Sequence, residues 1–135
     1  MRIMLDTNIL ISAAFFRNVQ MDETIEFITM RHDLILADVV IDEFIEVASY
    51  KKFDRVEAAK RFISKLPFTL FETPDISQIE GVTIRDESDY PILFTAIKSE
   101  VDIFITGDKD FLESSITTPV MMTISQFKSK YIQSE

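Results

Sequence analysis

The side chains able to do chemistry in this chain are carboxylates. Four segments place acids where an apolar run gives way to a helical pattern: LDTN (Asp6), IDEF (Glu43), RDESDYPIL (Asp86, Glu87, Asp89) and ITGDKDF (Asp108, Asp110). Hard divalent cations such as Mg²⁺ and Mn²⁺ take oxygen ligands, so acids in this number suit metal chemistry. Carboxylates brought within a few ångströms repel one another, and a fold that converges them needs a cation to offset the repulsion. Each acid also has a plainer use. Asp6 and Asp89 fit helix N-caps, Glu43 a solvated helix position, and Asp108 a turn residue beside Gly107.

Composition removes most other chemistries. The 135 residues include no cysteine, which excludes disulfides, thiolate nucleophiles, iron–sulfur clusters and Cys-bound zinc. A single histidine, His32, rules out His-rich zinc sites. In MRHD at a helix end, its expected role is to meet the terminal carbonyls. Two glycines, Gly81 and Gly107, are too few for a Gly-rich phosphate loop or a dinucleotide fingerprint. Acidic residues number 23 against 14 basic, a formal charge of −9, which argues against a general polyanion binder. What remains is carboxylate chemistry.

The elements must bring these acids together. At 135 residues, 47% of them hydrophobic, the chain is one domain able to close its own core. Arg2–Leu5 reads as a buried strand, and Thr7 to Phe16 as a helix with Ile9, Leu10, Ala13 and Ala14 on one face. Asp22 is expected to cap a second helix through Met30, and Leu34–Ala37 to form the next strand. Asp38 then caps a helix to about Tyr50, and a further helix runs from about Arg55 to Leu66, before Pro67. Phe68–Phe71 is a strand, and Asp89 caps a helix through Glu100 with Pro91 in its first turn. Ile103–Thr106 is a strand, Lys109 to Leu112 a helical turn, Val120–Met122 a last strand, and Ile124 to Tyr131 a closing helix. Continuously apolar strands separated by helices indicate a parallel α/β sheet of about five strands, covered on both faces. Ligands of such sheets sit at the carboxyl ends of the strands, where Asp6 and Asp108 fall.

The longest apolar run, Ile9 to Phe16, is far short of the ~20 residues that span a bilayer. Its approach is interrupted by Asp6 and lacks the basic cluster of a secretory leader. With no cysteine, the expectation is a soluble, unprocessed cytoplasmic protein with no membrane contact. The twelve phenylalanines read mainly as core, with Phe15, Phe16 and Met21 as an alternative apolar patch for a partner.

These motifs resemble the PIN domain, a metal-dependent ribonuclease family that includes VapC-type toxins. LDTNILISA at Leu5 to Ala13 matches its opening motif, and DEFIEVAS followed by KKF places Glu43 at the family's helix glutamate. RDESDYPILFTAIKSEVDIFITGDKDFL, from Arg85 to Leu112, looks like the RDxxD…A…AD…VTGDKDL pattern of a subgroup of toxin components. Order and spacing agree from residue 1 to about 125. The resemblance implies a single PIN-like domain over 1–135. It places metal-binding and catalytic acids at Asp6, Glu43, Asp89 and Asp108, with Asp110 as a fifth acid of variable role. It makes Thr7 and Asn8 supports for the Asp6 carboxylate or the attacking water.

Two positions depart from the family pattern. Ala37-Asp38 stands where Ser or Thr followed by Pro is usual, and Glu87-Ser88 replaces the usual Pro-Asp. Asp86 and Glu87 therefore compete with Asp89 for the third ligand, and the following ILFTA register favours Asp89. The implied function is an Mg²⁺- or Mn²⁺-dependent ribonuclease, the toxin of a toxin–antitoxin pair with a cognate antitoxin partner and a homodimeric assembly. One or two ions would hold the scissile phosphate and activate water, with no covalent intermediate.

Six of the 14 basic residues, Lys51, Lys52, Arg55, Lys60, Arg61 and Lys65, fall in one segment. With Asp54 and Glu57 it carries +4, leaving −13 elsewhere. It reads either as a stripe for an RNA backbone or as a solvated helix face. Arg85 and Lys109, beside the acids, suit phosphate contact or carboxylate neutralisation. The alternatives are a catalytically silent PIN-like binding module, a haloacid-dehalogenase-type phosphatase and a receiver-like signalling domain. The phosphatase needs a second Asp where Asn8 stands, and a receiver needs an acidic pair and a late Lys in a pattern that fits less well.

Overall fold

The computed structural model describes residues 1–50, 53–73 and 90–132, excepting the Tyr90 side chain. Five strands, β1 (Arg2–Leu5), β2 (Asp33–Ala37), β3 (Thr69–Phe71), β4 (Ile103–Ile105) and β5 (Val120–Met122), form one parallel sheet in the order β3-β2-β1-β4-β5. Seven helices stand between and after them among the described residues: α1 (Thr7–Phe15), α2 (Val19–Arg31), α3 (Asp38–Ala48), α4 (Val56–Lys65), α5 (Tyr90–Lys98), α6 (Lys109–Leu112) and α7 (Ile124–Tyr131). The expected α/β architecture is present.

Successive strand residues point to opposite faces, yet Ile3, Met4 and Leu5 of β1 are all fully buried. Both faces of the centre are therefore covered, which is why β1, β2 and β4 carry unbroken apolar runs. The edge differs: Thr69 and Leu70 of β3 are exposed. The strand order reverses beside β1. The chain moves outward through β2 and β3, then returns to the other side of β1 for β4 and β5. In open parallel sheets that reversal opens a crevice at the carboxyl ends of the two central strands.

Aromatic packing sets the helices that border this crevice. Val40, Phe44 and Ala48 form the buried stripe of α3, and the Phe44 ring stacks on Phe15 at 5.6 Å and meets Phe62 of α4 at 6.1 Å. Truncating Phe44 to Ala would cost roughly 3–5 kcal/mol through lost burial and cavity formation. Phe111 packs edge-on against Phe104 of β4 at 5.1 Å, holding the short α6 onto the sheet. Among the described residues no helix is long and apolar enough to cross a membrane.

Local chemistry corrects several expected boundaries. Asn18, not Asp22, caps α2: its Oδ1 accepts the Met21 N–H at 2.8 Å, and Asp22 in the first turn pairs with Arg17 at 3.1 Å. Asp38 lies inside α3 rather than at its cap, which is Ala37. Its Oδ1 accepts the Val39 N–H and both the N–H and hydroxyl of Thr73, tying the chain beyond β3 to the start of α3. The His32 ring does not meet the helix carbonyls. Its backbone N–H bonds the Ile28 carbonyl, while Nδ1 lies 3.0 Å from the Met1 nitrogen and the ring packs against Phe27. Burial, with the Met1 amine and Arg31 nearby, lowers its affinity for a proton. The proposed patch of Phe15, Phe16 and Met21 also shrinks. Met21 is in the core and Phe15 stacks between Phe44 and Phe53, leaving Phe16 as the exposed member at 61%.

Candidate active site

Asp6 and Thr106 are the residues that follow the last paired positions of β1 and β4, Leu5 and Ile105. The ladder continues one bond further, from the Asp6 N–H to the Ile105 carbonyl at 3.0 Å. Aligned residues of neighbouring parallel strands project to the same face, so the two side chains meet. Thr106 donates its hydroxyl to Asp6 Oδ2 at 2.7 Å, and the Thr7 N–H donates to Asp6 Oδ1 at 2.8 Å. Asp6 caps α1 and is only 5% exposed. Its expected cap role and its place at the sheet edge coexist.

Asp108 is held by the same group. Its N–H donates to the Thr106 hydroxyl oxygen at 3.0 Å, and its Oδ1 accepts the Asp110 N–H at 2.9 Å, capping α6. The Thr106 N–H in turn reaches the Met122 carbonyl of β5 at 3.0 Å. Gly107 between them is exposed, and a Cβ placed there would meet no atom within 4 Å. The turn needs no glycine on steric grounds.

The electrostatics identify what faces Asp6. Burial pushes its carboxyl above the usual 3.8; the Thr106 and Thr7 hydrogen bonds oppose this, and the charges of Glu43 and Asp108 raise it further. Glu43 lies in the middle of α3 beside Phe44, exposed, and its charge is felt at Asp6. Three of the expected acids therefore share one electrostatic neighbourhood.

The remaining expected residues fall as follows. Asp110, in the first turn of α6, is half-buried, and Lys109 is exposed at the start of that helix. Thr7 is buried and its hydroxyl has no hydrogen-bond partner among the described residues; Asn8 is exposed. Arg55 is exposed just before α4. Lys60, Arg61 and Lys65 are exposed along α4, which packs against α3 and α1. Asp86, Glu87, Asp89, Arg85, Lys51 and Lys52 lie outside the described residues.

A hard divalent cation can be tested against this donor set. Asp6, Glu43 and Asp108 supply oxygen alone, and Thr7, next in sequence to Asp6, has a buried hydroxyl without a hydrogen-bond partner among the described residues, which fits an oxygen-seeking ion. Among the described residues, no three acids or histidines close on one point as a complete metal grip. One residue of this neighbourhood lay outside the sequence expectations. Thr106 was assigned only to its strand, although a hydroxyl closing an apolar strand just before Gly-Asp marks it.

Comparison with known proteins agrees with this fold. None of the curated proteins searched matches the chain. The fold is similar to a chain in a crystal structure of VapBC2 from Rickettsia felis bound to a DNA fragment from their promoter, with a TM-score of 0.68. The identity is 16%, over 91% of this chain and 98% of that one. The family model described as "PIN domain" matches residues 2–110, a span that runs from β1 through Asp6, Glu43, Thr106, Asp108 and Asp110. The chain belongs to the PIN domain family.

Proposed function

We propose that this protein is a metal-dependent ribonuclease and the toxin component of a toxin–antitoxin pair. The observation that carries the reading is the buried Asp6 carboxylate, confronted by the charges of Glu43 and Asp108 at the β1–β4 switch point. A fold that maintains such repulsion gains when a cation enters. Family membership and the fold shared with a VapBC2 chain support the nuclease and toxin–antitoxin parts of the reading.

In this reading Asp6, Glu43, Asp89 and Asp108 hold Mg²⁺ or Mn²⁺, with Asp110 beside them and Thr7 and Asn8 supporting. The ion would supply a bound water of lowered pKa and charge stabilisation at the phosphate. The protein's own residues orient the site. The Thr7 N–H and the Thr106 hydroxyl fix Asp6, and the Asp110 N–H fixes Asp108. Lys109 and Arg85 would meet the phosphates nearest the acids, with Lys51, Lys52 and Arg55 extending the track. An antitoxin would be the protein partner, and the cysteine-free composition suits a cytoplasmic setting.

Incubating the purified protein with a mixed RNA panel in Mg²⁺, Mn²⁺ and EDTA tests the activity. Cleavage that requires the metal and disappears in Asp6→Asn is expected. Cleavage indifferent to EDTA would sink the metal mechanism, and metal binding without cleavage of any RNA favours the silent binding module. A homodimer is proposed too, burying on the order of 1,200–2,000 Å² in total. Its candidate surface is the α1–α2 turn, where Phe16 and Val19 are 61% and 70% exposed. Light scattering that gives a monomer across micromolar concentrations would contradict it.

A further inference from the structure

Thr106 is fully buried and has one proton to give. A threonine hydroxyl is one donor with two acceptor lone pairs, so its contacts have a direction. The Asp108 N–H can only donate, at 3.0 Å, and it therefore occupies a lone pair of Thr106 Oγ1. The hydroxyl proton is left for Asp6 Oδ2 at 2.7 Å. The result is a directed chain from the Asp108 backbone through Thr106 to the Asp6 carboxylate. Its two ends are the acids nearest the switch point.

We propose that Thr106 is a positioning residue that sets Asp6 and Asp108 in one fixed relation before any ion or substrate arrives. Each Asp6 oxygen then has one internal donor, Thr7 N–H on Oδ1 and Thr106 on Oδ2, and keeps capacity for a cation. The same hydroxyl anchors the backbone that carries the Asp108 carboxylate, so both ligands move if it is lost. Outer groups of this kind typically change metal affinity by about 10–100-fold when removed, without touching the ion. The inference rests on the proposed function only for the ion; the hydrogen-bond chain itself does not depend on it.

Thr106→Val removes the hydroxyl at nearly constant shape, and Thr106→Ser restores it. Binding of Mn²⁺ alone is measured by calorimetry on each folded variant, and exchange of the Asp108 amide by NMR. The expected result is Mn²⁺ affinity at least about tenfold weaker in Thr106→Val, and close to wild type in Thr106→Ser. The Asp108 amide should exchange at least tenfold faster in the valine variant than in the serine variant. If Thr106→Val does not fold, Thr106→Ala removes the same hydroxyl without setting a second methyl against the carboxylate. A purely structural role predicts lower melting temperature with unchanged Mn²⁺ affinity in the folded protein, and that outcome overturns the proposal. Should wild type bind no Mn²⁺, the metal-nuclease reading fails separately. Amide exchange then decides alone, and equal rates in the valine and serine variants overturn the positioning role.

Discussion

Asp6 and Glu43 act on the same neighbourhood from opposite kinds of support. Asp6 leaves the sheet buried, with a donor on each oxygen and its backbone in the β1–β4 ladder. Glu43 projects from the exposed side of α3, with no hydrogen bond to its carboxylate among the described residues; the buried stripe of Val40, Phe44 and Ala48 holds the helix that carries it. One acid is held by its own polar contacts, the other by the position of an entire helix. Loss of a contact therefore acts locally at the sheet edge, whereas at α3 it acts through the repacking of Phe15, Phe44 and Phe62. The polar work is concentrated on the strand side.

The largest effect should come from the buried acid. Asp6→Asn should reduce metal-dependent cleavage by at least about a hundredfold, or about 2.7 kcal/mol of transition-state stabilisation. Its apo fold should be equally stable, or more stable by roughly 0.5–2 kcal/mol, because a desolvated charge is gone. Thermal melts with and without Mn²⁺ check both, since an ion that binds the native state should protect wild type more than the variant. Identical metal-induced shifts would remove Asp6 from the site. The same pair carries a pH signature. The folded Asp6 binds its proton more tightly than an ordinary carboxyl at 3.8, so its protonation stabilises the fold at low pH. That contribution is lost as pH rises through the folded value. The advantage of Asp6→Asn over wild type in metal-free melts should accordingly be present at neutral pH and shrink on acidification; a pH-independent difference contradicts the assigned burial.

Glu43→Gln sharpens the contrast. Being exposed, it should change stability by no more than about 0.5 kcal/mol. It should nevertheless lower the pH at which Asp6 titrates, read from the Asp6 carboxyl carbon by NMR, because one opposing charge is gone. An unmoved Asp6 titration would separate the two acids.

The basic face of α4 is further from any fixed contact. Lys60, Arg61 and Lys65 are exposed, and Lys60 lies 4.0 Å from Glu57 in a solvated pair. Replacing all three by Ala should weaken RNA binding and flatten its salt dependence by about 0.7 per lost phosphate contact on single strands. A filter-binding salt titration that does not change makes this a solvated helix face. The smallest effect is expected at Gly107. Alanine there meets open space and loses only unfolded-state freedom, so a gain of roughly 0.4–1 kcal/mol is expected in denaturant unfolding.

How far the sequence carries depends on whether a feature is local. The apolar strands RIML, LILA and IFI and the helix α7 with its Thr123–Gln126 capping box follow from neighbouring residues, and their positions match expectation closely. Helix starts were less legible where two polar residues competed. Asn18 and Asp22 both suit a cap, and the earlier one wins because its side chain reaches the Met21 N–H while Asp22 pairs with Arg17. The aromatic patch misled for another reason. Adjacent Phe15 and Phe16 look alike in sequence, but only Phe15 points toward Phe44 across the α1–α3 contact.

By itself, then, the sequence determined the element order, the parallel sheet and the inventory of acids, since these follow from periodicity and residue type. Only the tertiary structure decided that Thr106, separated from Asp6 by 100 positions, donates to its carboxylate. It likewise decided that Asp38 ties down Thr73 and that Glu43 acts on Asp6 from another helix. Those relations arise because β4 returns to lie beside β1, and strand order is set by packing across the whole chain. A local pattern encodes what a residue can do; the crossover supplies the neighbour it does it with.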